Sequence, residues 1–221
     1  MLTDKYFNKG NSFFQLRKYQ EAIKKFNLAI KCNPYSAEAY INKGIALDKL
    51  GQHQEAIENY DIAIKYKPDS VEAYINKGNA LNALGRYQEA IENFDTGIRY
   101  NPNDEKAYYN KGISLYQLGQ YQEVIENCDI AIKHKPDLAE AYMNKGVALS
   151  KLGQHQEAIK KFNLAIKYKP GFAEAYLNKG ESLKQLGQRE KAIKNFELAI
   201  KYNPGLIAPY IRDILKKVEM Q

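Results

Sequence analysis

Long hydrophobic runs are missing from this 221-residue chain. No apolar stretch approaches the ~18 residues that a membrane-spanning helix requires. The opening MLTDKYFNKG has no apolar signal core, so the expected setting is cytoplasmic, or one reached by a secretion route that uses no signal peptide. Cysteine is scarce: with only Cys32 and Cys128, a disulfide framework is not indicated. Three histidines are present, His53, His134 and His155, and none has a serine, cysteine or carboxylate partner at a suggestive spacing. No metal-ligand cluster and no phosphate-cradling loop is found. The expectation is a protein that is not an enzyme and holds no cofactor and no metal.

What is present is globular in character. Hydrophobic residues make up 44% and charged residues 27%, outside the range of disordered chains. The 33 Lys and Arg against 26 Asp and Glu give a net charge of +7, which permits an acidic partner without demanding one. Lys, Asn, Ile and Tyr are abundant and share A/T-rich codons, so part of this charge reflects base composition.

The dominant signal is internal repetition. Pro34, Pro68, Pro102, Pro136, Pro170 and Pro204 are spaced by 34 residues, as are Gly10, Gly44, Gly78, Gly112, Gly146 and Gly180. A fixed period of this size marks a solenoid. Numbering each unit from 1 to 34 puts the starts at Thr3, Ala37, Val71, Glu105, Ala139 and Ala173. Each unit reads as two helices. Tyr at position 4, Gly at 8 and Phe or Leu at 11 follow helical spacing in the first, and positions 20, 24 and 27 do so in the second. Gly at 15 suits the residue just past a helix end, with Arg17 there in the first unit. Pro at 32 ends the second helix. Lys or Arg at 29 complements the helix dipole. Gly at 8 and Ala at 20 let the two helices approach closely. Val124 and Cys128 are the fourth unit's departures at 20 and 24.

These residues resemble the tetratricopeptide repeat (TPR) family, over residues 3–206. Tyr in place of Trp at position 4 and Lys in place of Leu at 7 are departures from the family pattern. The resemblance implies an all-α fold, a right-handed superhelical α-solenoid of antiparallel helix pairs. A single solenoid is expected over 1–221, with repeats at 3–36, 37–70, 71–104, 105–138, 139–172 and 173–206 and a capping helix at 207–221. The capping helix is read from Tyr210, at position 4 of an unfinished seventh unit, and Ile214, which replaces Gly at 8. The first unit begins two residues into the chain without a comparable cap, which suggests a fragment of a longer protein.

In the family, one side of the first helix lines a concave groove that holds peptides. Position 5 of that helix is apolar in every copy: Phe7, Ile41, Ile75, Tyr109, Met143 and Leu177. Position 9 reads Asn11, Ile45, Asn79, Ile113, Val147 and Glu181, and Tyr116 adds an aromatic at position 12. An exposed apolar stripe of this width would mark a binding surface, whereas packing against the neighbouring repeat is the alternative. Position 6 is Asn throughout: Asn8, Asn42, Asn76, Asn110, Asn144 and Asn178. Asn is a poor helix former with both donors and an acceptor, so the ladder is expected to meet a peptide backbone. These residues, apart from Glu181, form the expected peptide groove.

The expected function is a non-catalytic scaffold that binds a protein or peptide with an apolar or amphipathic segment. A chaperone C-terminal tail is not expected: Phe7, Glu72 and Asn76 stand where the family's carboxylate clamp needs cations. The Lys at position 7 in every unit supports a second expectation, a basic surface for nucleic acid or anionic membrane, without sequence-specific reading. The third is weak self-association through the N-terminal repeat face. Near-identical copies such as GQHQEAI in the second and fifth units suggest recent duplication in a bacterial protein.

Overall fold

A computed structural model describes residues 2–205; the expected capping helix at 207–221 lies outside them. Among the described residues the chain forms twelve α-helices. In order they are α1 (Leu2–Gln15), α2 (Tyr19–Cys32), α3 (Ala37–Lys49), α4 (His53–Tyr66), α5 (Val71–Ala83) and α6 (Tyr87–Tyr100). There follow α7 (Glu105–Gln117), α8 (Tyr121–His134), α9 (Ala139–Lys151), α10 (His155–Tyr168), α11 (Ala173–Gln185) and α12 (Arg189–Tyr202). Helices pair as hairpins and stack sequentially, an all-α solenoid architecture. Packing divides the chain into two units, Met1–Ser114 and Leu115–Gln221.

The helix boundaries have local causes. Gly51, Gly85, Gly119, Gly153 and Gly187 turn the chain with φ between +71° and +76°, which glycine adopts without strain. Arg17 does the same work at φ +57°, the one non-glycine in that region among the described residues. The second helices close with a backbone N–H, for example from Lys67 to the Ala63 carbonyl, just before the proline. First helices start in two ways. Ser36 and Ser70 accept a hydrogen bond from Ala39 and Ala73, and Asp104 accepts from Lys106 and Ala107. Such caps contribute about 1 kcal/mol each. Leu138 and Phe172 occupy the equivalent places without a side-chain cap. Phe172 is buried instead, so burial replaces the lost hydrogen bond.

Inside each hairpin the fit is between a glycine and a ring. A Cβ on Gly10, Gly44, Gly78, Gly146 or Gly180 would lie 2.5–2.6 Å from the ring of Phe26, Tyr60, Phe94, Phe162 or Phe196. Position 24 therefore packs on position 8 directly, rather than beside it. Ala22, Ala56, Ala90 and Ala158 at position 20 are fully buried around that contact. The ends of the hairpin are joined by a second aromatic pair. Tyr40, Tyr74, Tyr142 and Tyr176 at position 4 lie 5.5–6.0 Å, centroid to centroid, from Tyr66, Tyr100, Tyr168 and Tyr202 at position 30. Each such pair contributes about 0.5–1.5 kcal/mol beyond the area it buries.

Candidate functional site

Position 5 is largely a packing position. Ile41 is 3% exposed and sits in the core of the first unit with Leu47, Ala56 and Tyr60. Ile75 packs against the same cluster, Phe7 lies 6.0 Å from Phe26, and Met143 and Leu177 lean on clusters of the second unit. Tyr109 is half-buried.

Position 6 divides by neighbour. Asn42 donates through Nδ2 to Asn11 Oδ1 at 2.9 Å, tying the second repeat to the first. Asn178 turns back to its own helix and donates to the Glu174 carbonyl at 2.8 Å. The side chains of Asn8, Asn76, Asn110 and Asn144 make no hydrogen bond to another described residue. Position 9 is mixed: Asn79 is exposed, Ile45, Ile113 and Val147 are half-buried, and Glu181 Oε1 is buried without a hydrogen-bond partner among the described residues. The Tyr116 ring lies 5.5 Å from that of Tyr121 in a tilted contact, so it supports its own hairpin.

The first unit carries two pockets side by side. One, of about 310 Å³, is lined by Asn11, Phe14, Gln15, Phe26, Asn42 and Ile45. The other, of about 270 Å³, has Ile45, Asp48, Lys49, Tyr60, Asn76 and Asn79 in its lining, together with His53 and Ala80. Both are built from positions 9, 12, 13 and 24 of one repeat and 6 and 9 of the next. The structure thus gathers Asn11, Asn42, Ile45, Asn76 and Asn79 into a continuous surface, with Ile45 shared. The positions are the same and the chemistry differs: the first pocket has two phenyl rings, the second a carboxylate.

That carboxylate was not among the expected site residues. Tyr60 donates its hydroxyl to Asp48 Oδ2 at 2.6 Å, and His53 Nδ1 lies 3.0 Å from Asp48 Oδ1. Burial, then the bond to Asp48, pushes the Tyr60 phenol far above its ordinary range. His53 therefore has a carboxylate partner, contrary to the sequence expectation, and His155 Nδ1 lies 3.3 Å from Ser150 Oγ. The partners are five residues apart across the turn, which folds position 17 back over position 12. The same two positions pair by ring contact elsewhere, as Phe14 with Tyr19 at 5.3 Å. The sequence signal was that both histidines at position 17 follow a polar residue at position 12, Asp48 or Ser150, whereas Phe14 and Tyr116 precede tyrosines.

The position-7 lysines are not a free basic ladder. Lys77 donates to Asp61 and Lys111 to Asp95, each at 2.6 Å, and Lys145 donates to Asp129. Each acceptor is position 25 of the preceding repeat. Among the described residues no group of His, Cys, Asp and Glu could hold a metal ion. Nor is any described helix long and apolar enough to cross a membrane.

Stacked helical hairpins with variable pockets on their first helices define a helical-repeat interaction protein. The chain belongs to the tetratricopeptide repeat family. Tetratricopeptide repeat profiles match residues 41–105, 105–138, 139–172 and 173–206, and a TPR repeat profile matches 10–51. No curated protein matches the chain. Among solved structures, YrrB, described as a TPR protein with an unusual peptide-binding site, is 27% identical, with 82% of this chain and 93% of YrrB covered at a TM-score of 0.66. MamA is also 27% identical, covering 76% of this chain and 92% of its own at 0.67. PilW, described as a widely conserved type IV pilus biogenesis factor, is 21% identical, covering 97% and 99% at 0.85, a likeness of fold alone.

Proposed function

We propose that this protein is a non-catalytic scaffold that binds a segment of a partner protein across the first helices of its repeats, with the paired pockets of the first unit receiving successive side chains. TPR proteins mediate protein–protein interactions, and YrrB, similar to this chain, is described as having a peptide-binding site. The observation that carries the reading is the recurrence of one pocket design with two chemistries. The first pocket, between Phe14 and Phe26, suits an apolar side chain. The second, with Asp48, suits one that donates hydrogen bonds. An amphipathic segment satisfies both. The amides of Asn76 and Asn110, which have no hydrogen-bond partner of their own among the described residues, are available to a peptide backbone.

The basic-surface reading loses its main support, because three of the lysines it relied on are neutralised by aspartates. Peptide-display selection on the parent and on an Asn76→Ala/Asn79→Ala variant tests the scaffold reading. A motif should enrich on the parent and bind the variant more weakly, with thermal unfolding nearly unchanged. Equal binding by both proteins would sink the assignment of this surface.

A further inference from the structure

Of the five position-7 lysines that follow another repeat, two escape the ion-pair pattern, Lys43 and Lys179, and they differ from each other. The residue at position 25 before Lys43 is Asn27, and before Lys179 it is Asn163, where the paired lysines have aspartate. Both lysines are half-buried. Burial lowers the pKa of each amine; at Lys43 the charge of Glu55 works against this, whereas at Lys179 burial acts alone.

Lys179 opens into a cavity of about 500 Å³ bounded by α10, α11 and α12, all within the second unit. Lys191 and Lys194 line it with Lys179, together with the amides of Gln156, Gln188 and Asn195. Ile159 and Leu183 supply an apolar wall, and no carboxylate is among the lining residues. Gln188 Oε1 accepts from Lys191 Nζ at 3.0 Å, which leaves the Gln188 amide N–H groups as donors.

The sequence shows that this cavity departs from the repeat plan in several places at once. Position 19 reads Glu21, Glu55, Glu89, Glu123 and Glu157, then Lys191. Position 22 is Glu58, Glu92 and Glu126 in the middle repeats and lysine in the first, fifth and sixth, as Lys24, Lys160 and Lys194. With Asn163 in place of aspartate, the site carries no acid at three positions, 19, 22 and 25, where the middle repeats have one. Three lysines line one cavity that has no carboxylate among its lining residues, so a bound anion is attracted by all three.

We propose that the cavity between α10, α11 and α12 binds an anionic group of the phosphate or carboxylate class, on a ligand whose apolar part rests against Ile159 and Leu183. The site uses positions 7, 19 and 22, not the positions that form the two pockets of the first unit. It stands or falls separately from the scaffold reading.

The test is calorimetric titration of the full chain at low salt with sodium pyrophosphate and, separately, with a tri-glutamate peptide. Asn163→Asp and Lys191→Glu are titrated alongside. Each restores the residue that other repeats carry, so each keeps the fold, which melting curves check. At least one probe should bind the parent, and each variant should bind it about tenfold more weakly, the loss expected when one charge in a small site changes. Asn27→Asp, at the junction of the first two repeats, should leave binding unchanged. Pyrophosphate binding alone assigns a phosphate ligand, and tri-glutamate binding alone assigns a carboxylate ligand. Binding of neither probe, equal binding by the parent and both variants, or equal weakening by Asn27→Asp overturns the proposal.

Discussion

Glycine to alanine should act with opposite sign at two positions of the third repeat. At Gly78 in α5, a new Cβ would lie 2.6 Å from Phe94 Cε1 and 2.7 Å from Cζ. Ordinary carbon contacts lie near ~3.5–4.0 Å, so the ring must retreat by about 1 Å. Phe94 is fully buried and shares its cluster with Ala80, Leu81 and Ala90, which leaves no slack. Overpacking costs about 1–3 kcal/mol, and a ring retreat of this size in a core without slack belongs at the upper end, about 2–3 kcal/mol. Alanine's better helix propensity offsets about 1 kcal/mol of it, leaving Gly78→Ala destabilised by about 1–2 kcal/mol. At Gly97 in α6 the nearest atoms to a new Cβ are Ile75 Cγ1 at 3.5 Å and Tyr74 Cβ at 3.7 Å, ordinary contacts. The other repeats have Ala29, Ala63, Ala131, Ala165 and Ala199 at this position. Gly97→Ala should therefore stabilise by about 0.5–1 kcal/mol. In a chain of this size 1 kcal/mol moves the melting temperature by about 2–4 °C. Thermal unfolding followed by circular dichroism gives the global shift. Hydrogen exchange of the α5 and α6 amides gives the local one, since a repeat array need not unfold in one step. A Gly78→Ala protein that melts at or above the parent would refute the ring-on-glycine account of the hairpin.

Arg17→Gly should raise stability by about 1 kcal/mol, read by urea denaturation, because the left-handed φ of +57° strains any residue with a Cβ; no change would mean that the turn relaxes freely. Cys32 is exposed and Cys128 buried, its thiol pushed up to about 12 by burial and then by the charge of Asp129. One equivalent of thiol should react with Ellman's reagent in the native protein and the second only after unfolding. Two native equivalents would refute the burial. Stability should fall as pH rises above about 10, the ordinary tyrosine pKa. The Tyr60, Tyr74 and Tyr142 phenols are raised on folding, chiefly by burial, so the folded state holds protons that the unfolded chain has lost. Lys43 and Lys179, lowered by burial, work the other way near the same pH. Urea midpoints at pH 8 and pH 11 should show a net loss that is smaller in Tyr60→Phe; an equal loss in both proteins would remove Tyr60 as its source.

The repeat plan was legible because glycine, alanine and proline at fixed positions have few other uses. The glycine at position 15 and the proline at position 32 of the repeat each do in the structure what their chemistry allows. The role of position 5 was not legible. An apolar period shows that a helix face is covered but not by what, and Ile41 turns out to be covered by its own core. The lysines at position 7 misled for a related reason. Lys111 and Asp95 lie 16 residues apart on different helices, so nothing in the helix that carries the lysine announces its partner. Asp48, His53 and Tyr60 were overlooked singly because each looks like a substitution for a structural residue. Only the turn between α3 and α4 brings the three together.

The ion pairs at the junctions also set where such an array can grow. Every repeat offers a lysine at position 7, but only the second, third and fourth carry on their second helix the aspartate that neutralises the next one. Copying one of these three inserts a matched edge on both sides. Copying the first or fifth, whose second helices both read QEAIKKFNLAIK, adds another uncompensated ammonium at the new seam. Lengthening by duplication is therefore electrically matched at the second, third and fourth repeats and charge-building at the first and fifth.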